Sequence, residues 1–186
     1  MRVLKIIPAK EALKKSVFVY PTETCYGIGC DATNERLVER IYKIKGRDAK
    51  KRVSWIVADI DMAKRYAEFP SRAAKLAKSF WPGPLTLVLR KKVSDDTQTV
   101  ALRVSSHPIA KKIVDILKKP IVATSANMSG AVPCYTIFEL MEQFQSCSEK
   151  PDFIFDGGEL KKRAPSTTVE VIGDTVRVLR QGEIII

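Results

Sequence analysis

The stretch VYPTETCYGIGCDA, residues 19–32, decides how the chain is read. An apolar run, 17–20, meets Pro21. Thr22, Glu23 and Thr24 follow, then an aromatic, then Gly27 and Gly29. A plain surface turn needs only the proline and one glycine. A buried strand that leaves through two hydroxyls and a carboxylate, with two glycines beyond them, raises the question of what sits against the turn.

Outward from this point, strand and helix patterns alternate. RVLKII reads as a strand, AKEALKKS as a short helix and VFVY as a buried strand. NERLVERIYKIKG is an amphipathic helix with Leu37, Ile41 and Ile44 on one face and Gly46 as its stop. VSWIVA is a strand, and helices are expected around 62–68 and over 71–80, where WPGPL ends the second. TLVLR and TVALRV read as a hairpin joined by a polar loop. A helix opened by Pro108, the strand IVAT, the helix TIFELMEQF and the strand FIF follow. TTVEVI and TVRVLR flank a Gly-Asp turn, a hairpin signal. This order predicts an α/β fold on a twisted, mixed parallel and antiparallel sheet, with 1–186 as one domain.

The 186 residues are 45% hydrophobic, enough for a core. No apolar run approaches the length needed to cross a bilayer, and MRVLKIIPAK is too short and too charged for a secretory signal. The four cysteines, Cys25, Cys30, Cys134 and Cys147, are scattered, and His107 is the single histidine. That pattern predicts no metal-thiolate site and a reduced, cytoplasmic protein whose cysteines act as small core hydrophobes. A net charge of +11 fits an anionic partner as well as it fits a solvated lysine surface.

Groups that can contact a ligand collect where apolar strands end. Thr22–Glu23–Thr24 end one strand, Thr124–Ser125–Ala126–Asn127 another, and Arg103 lies near the end of a third. TSANMSG can equally be a turn and helix cap. Lys45 and Arg47 at a helix end complement its dipole or hold a phosphate chain. No P-loop is present, and GIG is too weak for a dinucleotide fingerprint. Ser166, Thr167 and Arg180 read equally as site or as surface, and His107, before Pro108, as structural.

Taken in order, PTETCYGIGCDA, KGR, FWPGPLTLVL, LRVSSHP, TSANMSG, PSTTV and VLRQG resemble the YrdC-like threonylcarbamoyl-AMP synthase family over nearly the whole chain. Because the chain ends at VLRQGEIII, the single-domain form is expected. The resemblance implies a twisted α/β sheet around a large basic cavity. It implies an enzyme making L-threonylcarbamoyladenylate from L-threonine, bicarbonate and ATP, with release of pyrophosphate. The product serves N6-threonylcarbamoyladenosine formation at tRNA position 37, passing to a tRNA-modifying transferase. By resemblance Thr24, Arg103, Ala123 and Ser166 take L-threonine. Lys45, Arg47, Lys51, Thr99, Ser125, Asn127, Pro133 (or Cys134, through its backbone) and Arg180 take ATP. Lys45 and Arg47 are the expected catalytic cations, and the two glycines let the chain pass close to the ligand. Mg2+ is expected to accompany ATP, with no organic cofactor, no protein-borne metal site and no membrane.

The stretch after KGR departs from the family pattern. Lys51 stands where Asn is common, and Ile56 where many members carry a threonine-contacting His. A paralogue with another acceptor amine therefore stays open. So does a module of another class that binds tRNA or double-stranded RNA directly, as the charge alone would allow. An RNA binder needs an exposed basic face with stacking aromatics, and aromatics are only 8% of this chain.

Overall fold

The computed structural model describes residues 1–92 and 98–186. Its elements run β1 (Arg2–Leu4), α1 (Lys10–Leu13), β2 (Phe18–Pro21), β3 (Tyr26–Gly29), α2 (Glu35–Lys45), β4 (Ser54–Ile56), α3 (Ile60–Tyr66) and α4 (Ser71–Phe80). Then come β5 (Leu85–Arg90), β6 (Thr99–Arg103), α5 (Pro108–Leu117), β7 (Ile121–Ser125), α6 (Ile137–Gln145), β8 (Phe153–Phe155), β9 (Thr167–Ile172) and β10 (Thr175–Arg180). The ten strands join in the order β1-β8-β2-β3-β7-β4-β6-β5-β9-β10. β8 pairs in parallel with β1 and β2, β4 with β6, and β5 with β9; the other neighbours are antiparallel. This is the mixed α/β sheet the residue pattern predicts.

Local chemistry accounts for the ends of the elements. Asn34 caps α2 by accepting from the Leu37 amide, and Gly46 closes it in the left-handed region at φ 57°. Thr136 and Glu139 form a reciprocal capping box on α6. His107 caps α5, its Nδ1 accepting from the Ile109 amide at 3.2 Å, which is the structural role expected of it. One hydrophobic cluster joins Leu85, Leu87 and Leu102 of the sheet to α3, α4 and α5. A second joins Val19, Ile28 and Val122 to α2 and α6. β5 and β6 form the expected hairpin, Arg90 opposite Thr99; residues 93–97 of its polar loop lie outside the described residues.

The opening stretch corrects the sequence reading. YGIG is a strand, not a glycine-rich exit: β2 and β3 make an antiparallel hairpin with Tyr20 opposite Gly27 and Phe18 opposite Gly29. The glycines serve packing as well as access. A Cβ on Gly29 would stand 2.3 Å from the Val122 carbonyl oxygen and 2.9 Å from Tyr20 Cε1. The Tyr20 ring lies across both glycines, and its hydroxyl donates to that same Val122 carbonyl at 2.8 Å.

Gly29→Ala is therefore expected to destabilise the fold by about 1–3 kcal/mol, the usual cost of overpacking. At Gly27 a Cβ would meet its nearest neighbours at 3.4 Å, so Gly27→Ala should melt close to wild type. Thermal unfolding of the two variants side by side checks the contrast.

Candidate functional site

Residues opposite one another in a sheet share a face. Gly27 faces Ser125, Ser54 faces Ala123, Ile56 faces Arg103 and Thr86 faces Thr168. All eight line one cavity of about 460 Å³, within the range of about 300–1,000 Å³ common for small-molecule sites. The alternate residues Ile28, Trp55, Leu102 and Val122 pack into the hydrophobic clusters. The cavity floor is a sheet face kept low by small side chains, and its rim carries Arg47, Arg52, Arg163 and Arg180.

The hairpin turn sets one wall. Thr22 Oγ1 donates to the Cys25 carbonyl at 2.7 Å and accepts from the amides of Thr24 and Cys25. Its hydroxyl closes the turn, leaving Thr24 to the cavity. Glu23 folds back behind it. Its Oε1 lies 2.6 Å from Arg103 Nη2, and its Oε2 accepts from Ser105 Oγ at 2.5 Å. Burial pushes the Glu23 carboxyl up, but Arg103 and the hydrogen bonds from Ser105 and Arg103 outweigh it and hold the group below the ordinary carboxylate range. Arg103 is 7% exposed, Nη1 reaches Thr24 Oγ1 at 3.5 Å, and Nε is buried with no hydrogen-bond partner. A guanidinium oriented by a carboxylate and left with a spare buried donor is prepared for an anionic group.

The far wall is a relay of hydroxyls. Arg180 donates to the Ser166 carbonyl through Nε at 3.1 Å and Nη2 at 2.8 Å, and through Nη2 to Ser166 Oγ at 3.0 Å. Ser166 Oγ lies 2.9 Å from Thr86 Oγ1.

Of the residues expected to take threonine, Thr24, Arg103, Ala123 and Ser166 all line the cavity. Of those expected to take ATP, Arg47, Ser125, Pro133 and Arg180 line it. Lys45, Lys51, Thr99 and Asn127 do not. Lys45 is 1% exposed, and its ammonium donates to the carbonyls of Ser125 at 2.5 Å and Asn127 at 2.6 Å, bracing the turn after β7 from behind. Asn127 Nδ2 donates to the carbonyls of Met128 and Ala131. Lys51 is exposed and offers its carbonyl to Arg47 Nε at 2.9 Å. Thr99 pairs with Arg90 at the start of β6. Ile56 does lie on the wall. Sequence reasoning missed Thr86, Thr168 and Tyr135, also on the wall. Thr86, a lone hydroxyl in the apolar run LTLVL, was a signal that could have been used.

No carboxylate lies among the lining residues, and no group of three or more His, Cys, Asp or Glu suited to a metal ion occurs among the described residues. The wall does not fit a protein-held divalent cation.

The Sua5/YciO/YrdC family model, described as telomere recombination, matches residues 11–182. The chain belongs to the Sua5/YciO/YrdC family. A threonylcarbamoyl-AMP synthase of Pyrococcus abyssi is 38% identical over 170 residues, covering 88% of this chain and 49% of the relative. The chain thus spans about half the length of that relative. One of Vibrio vulnificus is 36% identical over 182 residues, covering 92% of this chain and 95% of the relative. The crystal structure of P. abyssi Sua5 complexed with L-threonine superposes with a TM-score of 0.84 at 33% identity, covering 97% of this chain and 57% of that one. The cavity here is lined by Arg47, Arg52, Arg103, Arg163 and Arg180, with no carboxylate among its lining residues. No helix among the described residues is long and apolar enough to cross a membrane.

Burial pulls the Lys45 ammonium down to about 8, with nearby Arg47 acting in the same direction. Between about pH 8 and its ordinary 10.5, the unfolded chain holds this proton while the folded chain has released it, so Lys45 makes stability rise with pH across that window. The stability of the wild type relative to Lys45→Met should therefore grow from pH 8 to 10.5, measured by denaturant unfolding at several pH values. A pH-independent difference would return Lys45 to a solvated helix end.

Proposed function

We propose that this chain makes threonylcarbamoyl-AMP from L-threonine, bicarbonate and ATP and releases pyrophosphate. The observation that carries the reading is Arg103: a buried guanidinium steered by Glu23, with a spare Nε donor, on the wall of a cavity whose other charges are arginines. It takes the amino acid's carboxylate, beside Thr24. The chemistry at phosphorus gains mainly from positioning and charge neutralisation, which Arg47, Arg52 and Arg163 are placed to supply. Their places among the lining residues support that role, and the names of the relatives support the reaction. Mg2+ would arrive on the phosphates of ATP, since the wall offers no carboxylate. The product would pass to a tRNA-modifying transferase in the cytoplasm. A recessed cavity whose floor is small and hydroxylic disfavours a simple RNA-binding module, which needs stacking rings on an open face.

Incubating the protein with ATP, bicarbonate and each amino acid in turn, and weighing the adenylates formed, tests the reading. L-threonine should give the carbamoyl adenylate; no adenylate with any amino acid would overturn it. Arg103→Lys keeps the charge and loses the two-pronged geometry. It should weaken threonine use by about 1–3 kcal/mol with little change in ATP binding, read from the two KM values. Arg47→Ala should cut turnover sharply while the melting temperature stays close to wild type, because Arg47 is held by carbonyls of its own loop, those of Lys51 and Arg52.

A further inference from the structure

Helix α6 is apolar on two faces. Ile137, Leu140 and Phe144, at helical spacing, turn into the second hydrophobic cluster. Phe138, Met141, Glu142 and Gln145 stand at i, i+3, i+4 and i+7 and form a second stripe on the solvent side. Phe138 is 71% exposed and Met141 43%, although the helix that carries them is capped and anchored. Together with Met1 and Lys150, the stripe lines a groove of about 380 Å³. Met1 packs on the cluster beneath it. Arg40 donates to the Lys150 carbonyl at 2.9 Å and pairs with Asp152 at 2.6 Å, fixing the segment that brings Lys150 to the groove.

Charge narrows what can cover this face. The chain carries 32 lysines and arginines and a net charge of +11, so two copies repel across most of their surfaces. From Pro120 to Glu149 there is neither lysine nor arginine, the longest such run in the chain, and Glu139, Glu142 and Glu149 fall within it. The face built by α6 is therefore where copies of this molecule can approach. It also holds its own complement: a protruding ring beside a groove, and a carboxylate, Glu142, on the same rim as an ammonium, Lys150. Neither charge has an ion-pair partner among the described residues. A patch that contains both halves of a contact is what a two-fold interface requires.

We propose that this face docks a second copy of the chain by antiparallel packing of α6 on α6. A two-fold axis crossing the stripe between Met141 and Glu142 seats the Phe138 of each copy in the other's groove, against Met1 and Met141, where sulfur and ring attract. The same axis turns Glu142 of each copy toward Lys150 of the other, so two ion pairs flank the apolar centre. One helix face supports a weak, reversible dimer, not an obligate one. None of the groove residues lines the cavity. The link between them is Gln143, whose Nε2 donates to the Val132 carbonyl at 3.0 Å and whose Oε1 accepts from the Met128 amide at 2.9 Å, holding the loop that leads to Pro133 on the cavity wall.

Sedimentation equilibrium of the full chain from about 1 to about 200 μM tests this. The wild type should pass from monomer to dimer mass within that range. Phe138→Glu should raise the dissociation constant at least about tenfold, the effect of removing a central aromatic anchor. Glu142→Lys and Lys150→Glu should each weaken the dimer several-fold by setting like charges together. The double variant should recover to within about threefold of wild type, because each ion pair joins two copies. Thermal melts of every variant confirm folding. A wild type that stays monomeric overturns the proposal: flotation with neutral phosphatidylcholine vesicles would then give the face to a lipid surface, and no flotation would give it to another protein. A dimer unmoved by Phe138→Glu also overturns it, as does a double charge variant that associates no better than its singles.

Discussion

A tyrosine ring laid over two glycines holds the site together. Tyr20 spans Gly27 and Gly29 and hydrogen-bonds the Val122 carbonyl across the sheet. The contact ties the β2–β3 hairpin to β7 and fixes where the turn at 22–25 stands. Burial of a phenol is favourable only when its hydroxyl finds a partner. Here the partner is a backbone group, so the hydrogen bond itself does not depend on any other side chain's identity. Thr24 is placed on the cavity wall, and Glu23 is turned back toward Arg103, because the strand before them cannot shift.

Buried charge is managed in two distinct ways. Glu23 and Arg103 form a close ion pair with Ser105 completing the carboxylate, an arrangement that limits the desolvation cost of both ions. Lys45 has no acidic hydrogen-bond partner among the described residues and leans on two carbonyls. The first arrangement fixes Arg103 on the cavity wall. The second holds the backbone of the turn after β7, from which Ser125 reaches the same cavity. Removing either ion would leave buried groups without partners, which is costlier than never having had them.

Much of this was legible in the residues. α2 announces itself through the Leu37–Ile41–Ile44 face and Gly46, and the end of α4 through the proline pair of WPGPL. β3 was hidden because its glycines erase the side-chain alternation that marks a strand; what demands them is the approach of Tyr20 and Val122, distant in sequence. Thr24 and Arg103 stand out because each lies near the end of an apolar strand; Ser166 reads equally as surface, and only the family resemblance assigns it to a ligand. Lys45 could not be told from a phosphate-binding cation, since its carbonyl partners lie about eighty positions on. Thr86 escaped because one hydroxyl inside LTLVL looks like tolerated strand composition until the register sets it against Ser166.

The floor that gathers residues from Tyr20 to Arg180 has a kinetic meaning. Nearly every strand that builds it pairs with one distant in sequence, so the cavity forms only as the whole sheet closes, and such long-range topologies fold slowly. No local segment carries half of the binding site. A ligand that fills the cavity therefore stabilises the sheet as a unit, by an amount that grows with the logarithm of its concentration, and resistance to unfolding becomes a direct readout of what the cavity accepts.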